Sequence, residues 1–472
     1  MQRILYYCLF LFSLITGAYT RSDLSQMIDE MMNKYMADDL FAGVVLVSRQ
    51  DTIVYHKAFG FLDREQKSVH TIDSQLKIGS IVKDFTAVVI LQLMEEGKLN
   101  LDDQIGKYID FFESEILHQV TIRQLLRHQS GFGDYLMLPQ TRDKIKAIKT
   151  VNGLIELFKN EPLLFEPGAD ERYSNSGYTV LGAIIEDVTQ LSYFDAIDHY
   201  ILQPLNMNNT LFNWQKIDSL SNHPKWYMRS ATGNFFESDI DEWPSPSGGA
   251  YSTVADLLKF EYSLTYDNRL LSDKSKLLKA NRFEKTGYTS WSELIANKST
   301  IIGKAGGSPG NNSVIINFPS QGYIIIVLAN YDEPIAEQIG QNIVSIIRQK
   351  RYKPPQVSIF EAAYNLYRQE GIDRLKSDFL NLINEYQFQD DKDFVLNRVG
   401  YDLITESRLQ EALDIFNANT ELYPQVANTW DSLGEIYLLL DKYELAEKYY
   451  RKSLELNPEN QNAVRMLQKI QH

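Results

Sequence analysis

The sequence predicts an α+β domain, an antiparallel sheet flanked by helices with an inserted helical subdomain, followed by an all-α helical domain. Three observations carry this prediction. Strand signals lie near both ends of residues 21–350, helical periodicity fills the stretch between them, and a 34-residue period closes the 472-residue chain.

The elements follow in chain order. Residues 1–20 have the form of an export signal: Arg3 gives a positive start, Ile4 to Ile15 an apolar run, and Thr16, Gly17 and Ala18 a small-residue cleavage region, with cutting expected after Ala18 or Thr20. The apolar run is shorter than the ~20 residues a membrane-spanning helix needs, and so is the later run Tyr323 to Ala329. The only cysteine, Cys8, would leave with the signal, so disulfides, thiolate catalysis and Cys-ligated metals are not expected in the mature chain.

A hairpin is predicted from Gly43–Ser48 and Thr52–Phe59, turning at Arg49 to Asp51. Helical spacing then appears at Asp84–Glu96, Ile122–Arg127, Asn152–Lys159, Tyr178–Thr189 and Val254–Tyr262. Two strands, Ser313–Phe318 and Tyr323–Ala329, and a helix from Pro334 to about Gln349 close the domain at residue 350. Arg351 to Val357 contains adjacent Pro354 and Pro355, which neither continue a helix nor donate to a sheet, and it reads as a linker.

Beyond the linker, in residues 358–472, Gly400 and Gly434, Ala412 and Ala446, Phe416 and Tyr450, and Pro424 and Pro458 recur at a spacing of 34. Trp430, Leu433 and Tyr437 fill the second unit. The pattern resembles the tetratricopeptide repeat, in which small residues let paired helices approach. Two units cover Phe394 to Glu459, and Ile359–Tyr386 is a candidate degenerate third. So few repeats bury too little surface to stand alone, so they are expected to pack on the rest of the chain or to bind a protein partner.

Composition narrows the function. With 44% apolar and 23% charged residues the chain has the means to bury a core. Sixty-two acidic residues against 47 basic ones give a net charge of -15, the wrong sign for a nonspecific nucleic-acid binder. The seven histidines lack metal-site spacing; His128 falls at a helix end and is expected to be structural. Glu166, before Pro167, reads as a turn residue, and Asp102 and Asp103 as caps of a following helix.

Three short patterns could carry chemistry. Ser80 and Lys83 stand at i and i+3 where an apolar helix opens, so an amine and a hydroxyl share one face beside free helix N-terminal amides. Ser74 with Lys77 has the same spacing, but lacks the preceding Gly79 and the long apolar helix. Tyr173-Ser174-Asn175 follows the turn Glu166-Pro167-Gly168; in an extended segment its phenol and amide would face one cleft. Lys304-Ala305-Gly306-Gly307 precedes the closing strand pair, where a cation beside glycines on an edge strand suits a ligand carboxylate. Lys285-Thr286-Gly287 is a competing match with no strand pair after it.

In this order the three patterns resemble the serine β-lactamase and penicillin-binding-protein superfamily, nearest to its class C β-lactamase, D-alanyl-D-alanine carboxypeptidase and esterase branch. Thr121 to Leu126 with Ser130-Gly131-Phe132, Gly248 to Thr253, and Gly306 to Gly310 extend the resemblance over Asp23 to Arg351. It implies a β-lactamase-like fold with Ser80 as nucleophile and Lys83 and Tyr173 as the proton-transfer pair. Asn175 would contact a substrate amide and Lys304 a substrate carboxylate. The amides of Ser80 and Gly307, beside Gly306, would form an oxyanion hole. Ala305 departs from the pattern, because carboxylate-binding members carry a hydroxyl there.

The expectation is a periplasmic or secreted serine hydrolase that forms an acyl-enzyme at Ser80 without cofactor or metal. Its substrate would be an amide, β-lactam, peptidoglycan-type D-alanyl peptide or ester. The alternative is a weakly active or inactive hydrolase-fold scaffold whose repeats bind a protein partner.

Overall fold

Five strands form one antiparallel sheet in the computed structural model, which describes residues 21–113, 118–139, 141–220, 224–238, 243–284, 288–332 and 334–470. The expected export signal and the Lys285–Gly287 pattern lie outside the described residues. The strands are β1 (Gly43–Arg49), β2 (Thr52–Phe59), β3 (Ile302–Ser308), β4 (Asn311–Phe318) and β5 (Tyr323–Ala329), in the order β2-β1-β5-β4-β3. The predicted hairpin is β1–β2, with Gly43 opposite Phe59. The predicted closing pair is β4–β5, and the glycine-bearing Lys304 segment is the edge strand β3.

Every residue of β5 is buried, because helices cover both faces of the sheet. Strand alternation sorts them: Ile324, Ile326 and Leu328 enter one core, Ile325, Val327 and Ala329 the other. On the second face lie α1 (Arg21–Ala37) and α5 (Ile335–Ile347), through Ile28, Met31, Ile339 and Ile343. On the first lie α2 (Val82–Glu95), α3 (Asn175–Thr189) and α4 (Val254–Tyr266), packed with the shorter helices of the insert. Phe85 of α2 stacks on Phe260 of α4 at 4.0 Å and 7°. Asp102 and Asp103 do not cap a helix: Asp102 pairs with Arg123, and Asp103 accepts the amide of Asn100 ahead of a single 3₁₀ turn at Ile105–Lys107.

Seven helices follow: α6 (Ile359–Glu370), α7 (Ile372–Tyr386), α8 (Asp393–Thr405), α9 (Leu409–Leu422), α10 (Ala427–Leu439), α11 (Tyr443–Leu456) and α12 (Gln461–Ile470). The expected degenerate unit is thus a helical hairpin, α6–α7, sharing one core with the next through Tyr364, Phe379, Val399 and Phe416. Gly400 lies against the Phe416 ring and Gly434 against that of Tyr450, which is why small residues recur at this period.

The helical segment packs on a loop of the preceding domain. Ala231, fully buried, is part of the repeat core, and its amide donates to Asp402 Oδ2 at 2.8 Å. Arg229 Nε donates to Glu361 Oε2 at 2.8 Å, and Ser230 Oγ donates to Glu406 Oε1 at 2.8 Å. Residues 351–357 have no regular structure yet are tied down: Lys34 Nζ donates to Tyr352 Oη at 2.8 Å, and Asn342 exchanges hydrogen bonds with the Lys353 backbone.

A Cβ added at Gly400 would stand 2.4 Å from Phe416, whereas one at Gly434 would stand 3.0 Å from Tyr450. Phe416 is fully buried and has no room to move. Gly400→Ala is therefore expected to destabilise by about 1–3 kcal/mol. At Gly434 a helix-propensity gain of about 1 kcal/mol offsets a milder contact, leaving the stability within about 1 kcal/mol of the parent. Urea denaturation of the two variants followed by far-UV circular dichroism gives the ranking; equal losses would contradict it.

Candidate active site

Ser80 sits in the 3₁₀ turn Gly79–Ile81 that runs straight into α2. Strand β3 lies directly on this turn. A Cβ on Gly79, whose φ is +48°, would stand 2.6 Å from the Gly307 nitrogen, and one on Gly306 would stand 2.5 Å from the Ser80 nitrogen. Only glycine allows backbones this close, and the contact places the amides of Ser80 and Gly307 side by side. Ser313 Oγ bridges the pair, its one proton within reach of both Ile78 O at 3.0 Å and Gly306 O at 2.8 Å. From the other side, the Ile78 amide donates to Ala250 O at 2.9 Å and anchors the turn to the loop that begins at Ser245.

Lys83, one helical turn on, is buried although charged. Its Nζ donates to Ser80 Oγ at 3.1 Å, Asn175 Oδ1 at 2.7 Å and Ser247 O at 2.7 Å. These acceptors match the three N–H groups of an ammonium. Ser80 Oγ lies 2.7 Å from Tyr173 Oη, and Lys83 Nζ is 4.7 Å from the centre of that phenol ring.

Ser174 caps α3, its Oγ accepting the Gly177 amide at 3.0 Å. Tyr173 therefore precedes the helix and Asn175 is its first residue, so the two do not share the extended segment expected from sequence. They nevertheless converge: Tyr173 reaches Ser80, and Asn175 reaches Lys83. The other end of the Asn175 amide donates to Asp134 Oδ2 at 2.7 Å, so Asp134 holds the amide whose oxygen accepts from Lys83. A cavity of about 330 Å³ opens over the group, lined by Ser80, Tyr173, Asn175, Ser247, Ala305, Gly306, Gly307, Leu136 and Glu337, among others.

Lys304 requires a correction. Opposite Ile315 in the ladder, it lies on the face of β3 turned toward α2 and α4, pairs with Asp84 and Glu261, and is not in the cavity lining. Burial would lower its affinity for a proton, but the two carboxylates outweigh burial and hold it above the ordinary lysine value. Asp84 is likewise pushed up by burial yet held at about 2 by Lys279 and Lys304. The lysine is thus committed to a buried network and does not offer its charge to a carboxylate at Ser80.

The competing Ser74 accepts the Thr71 amide in a turn, and Lys77 Nζ lies 4.9 Å from the Trp226 ring. Glu166 is exposed in a turn closed by the Ala169 amide, as expected. Sequence reasoning missed Asp134, Ser247 and Glu337, whose approach depends on distant chain segments. It also set aside His128, which packs on Tyr173 at 4.7 Å between ring centres.

The chain is similar in sequence and fold to known proteins. The Beta-lactamase family model matches residues 28–346, and the Tetratricopeptide repeat model matches residues 427–460. Protein flp of Staphylococcus aureus is 25% identical over 348 residues, 70% of this chain and 68% of that protein. Penicillin-binding protein 4* of Bacillus subtilis is 28% identical over 320 residues, 62% of this chain and 69% of that one. In fold, the octameric penicillin-binding protein homologue from Pyrococcus abyssi superposes with a TM-score of 0.61 at 23% identity, covering 73% of this chain and 81% of its own. The chain belongs to the beta-lactamase family and carries a tetratricopeptide repeat at its C-terminal end.

Proposed function

We propose that this protein is an exported serine hydrolase that works through an acyl-enzyme at Ser80. The observation that carries the reading is the placement of Ser80 Oγ within hydrogen-bond reach of both Tyr173 Oη and Lys83 Nζ. This geometry supports one route for the proton. An ammonium that already donates to three acceptors has no lone pair for the Ser80 proton, so Tyr173 takes it, and the adjacent positive charge favours the phenolate. Ser80 Oγ attacks the acyl carbon, and the amides of Ser80 and Gly307 receive the developing oxyanion. The Tyr173 proton passes to the leaving group, and water attacks the acyl-enzyme by the reverse route. Asn175 acts here by orienting Lys83. Export rests on the form of residues 1–20.

The substrate reading follows from charge. Lys304 is neutralised by Asp84 and Glu261, Ala305 has no hydroxyl, and among the described residues the one charged side chain in the lining of the cavity is Glu337, an acid. Exposed Leu136 and Met137, the former in the lining, sit beside it, with Tyr173 half exposed. Among amides, β-lactams, D-alanyl peptides and esters, the arrangement favours neutral substrates with an apolar group over those that present a carboxylate.

Two outcomes check this. A fluorophosphonate probe should label the protein at Ser80 and not label Ser80→Ala, while Tyr173→Phe should label about 10²–10⁴ times more slowly with unchanged melting; labelling that survives Ser80→Ala moves the nucleophile elsewhere. Lys304→Ala should cost about 3–5 kcal/mol of stability, because it leaves the buried Glu261 carboxylate without its cation while Asp84 keeps Lys279. In whatever fraction stays folded, KM should change alike for a neutral p-nitrophenyl ester and for nitrocefin, which carries a carboxylate. A selective rise for nitrocefin would restore Lys304 as its contact.

A further inference from the structure

Tyr173 has to hold its phenol 2.7 Å from Ser80 Oγ although it is half exposed and lies in a segment without regular structure. One residue grips the backbone on both sides of it. The Arg172 amide donates to His128 O at 2.9 Å, and the Ser174 amide donates to His128 Nδ1 at 3.2 Å. The imidazole also fits between two phenols, 4.7 Å from the Tyr173 ring centre and 5.1 Å from that of Tyr178. His128 reaches this place by leaving the short helix Ile122–Leu126 in the left-handed conformation, with φ of 59°.

We propose that His128 is a positioning residue that sets the Tyr173 phenol against Ser80, using an unprotonated Nδ1 as an acceptor and the ring face as a backstop. The inference rests on the reading of Tyr173 as the proton acceptor. A nitrogen that accepts an amide proton carries none itself, so the ring is neutral with its proton on Nε2. Its surroundings maintain that state. Burial comes first, followed by the nearby charge of Lys83; Arg282 acts in the same direction and Glu171, itself paired with Arg282, against it. Together they lower the imidazole to about 4. A protonated Nδ1 would face the Ser174 amide donor to donor and release one side of the grip.

The test uses p-nitrophenyl acetate hydrolysis by the chain starting at Arg21, with rates normalised to the fraction of Ser80 that a probe labels at saturation. His128→Gly suits the left-handed backbone but removes ring and acceptor. His128→Asn restores an acceptor near Nδ1 and also tolerates that backbone. His128→Phe keeps a ring without the acceptor, a second route if the glycine variant does not fold. The glycine and phenylalanine variants should lose about 10–100-fold in kcat, the scale on which a misplacement of about 1 Å is felt, with KM little changed. The asparagine variant should recover to within about fivefold of the parent. In a Tyr173→Phe background the same changes should cost nothing further. Losses that persist in that background, an asparagine variant no better than glycine, or no loss at all would each overturn the proposal. Crystal structures of the glycine and asparagine variants separate it from the proton route. A Tyr173 Oη that leaves Ser80 in the first and stays in the second supports positioning even if Tyr173→Phe is fully active, and an unmoved phenol in both refutes it.

Discussion

The site exists because two stretches of backbone touch. The turn at Gly79 and the strand at Gly306 approach to a distance that admits a Cβ on neither residue. From that contact follow the adjacent amides of Ser80 and Gly307, and α2 starts at Val82, two residues after Ser80. The sheet exists, in this sense, to present an edge: β3 is the last strand in the order, free on its outer side, and its inner side is held by a full ladder to β4. The helices of the insert then have one task, which is to bring Tyr173 and Asn175 to the same turn from nearly a hundred residues away.

Charge is distributed with equal economy. Consecutive residues of α2 serve opposite purposes: Lys83 faces the acceptors around Ser80, while Asp84 faces Lys279 and Lys304 in a network sealed between α4, the helix at Asp273–Ala280 and β3. Burying four charges is tolerable only because they are paired and bonded, and the same pairing removes Lys304 from the cavity. The Asn317 amide donates to Glu261 Oε1 at 3.1 Å and adds a neutral contact to that network. The cavity is consequently mild in field, with its positive charge held behind Ser80.

What the sequence made legible depended on range. The hairpin, the closing strands and α2 were readable because apolar residues repeat with periods of two or 3.6 over a few turns of chain. Ser80 and Lys83 were readable because the helix itself fixes their relation. Tyr173 could be placed by order along the chain, but the reason it meets Ser80 is a cap at Ser174 and a grip by His128, both local features whose target is remote. Lys304 shows the limit most clearly. The strand and its glycines were recognised, yet which face of an edge strand meets the cleft is a matter of phase, and a step of one residue exchanges Lys304 for Ala305. Asp134 and Ser247 carry no local signal, since only the assembled fold brings the Asn175 amide to the one and Lys83 to the other.

The buried loop at Ala231 ties the order of synthesis to the order of folding. Its amide partner, Asp402, comes 171 residues later. At the ~5–20 residues per second of ribosomal synthesis, that interval is on the order of ten to thirty seconds. Throughout it the loop between the strands Tyr227–Arg229 and Phe235–Glu237 holds out Ala231 and the hydrogen-bonding groups of Ser230 and Thr232, whose partners Asp402 and Glu406 have not been made. The β-lactamase-like part of the chain can thus be synthesised in full while one of its loops still waits for the repeats that satisfy its hydrogen bonds.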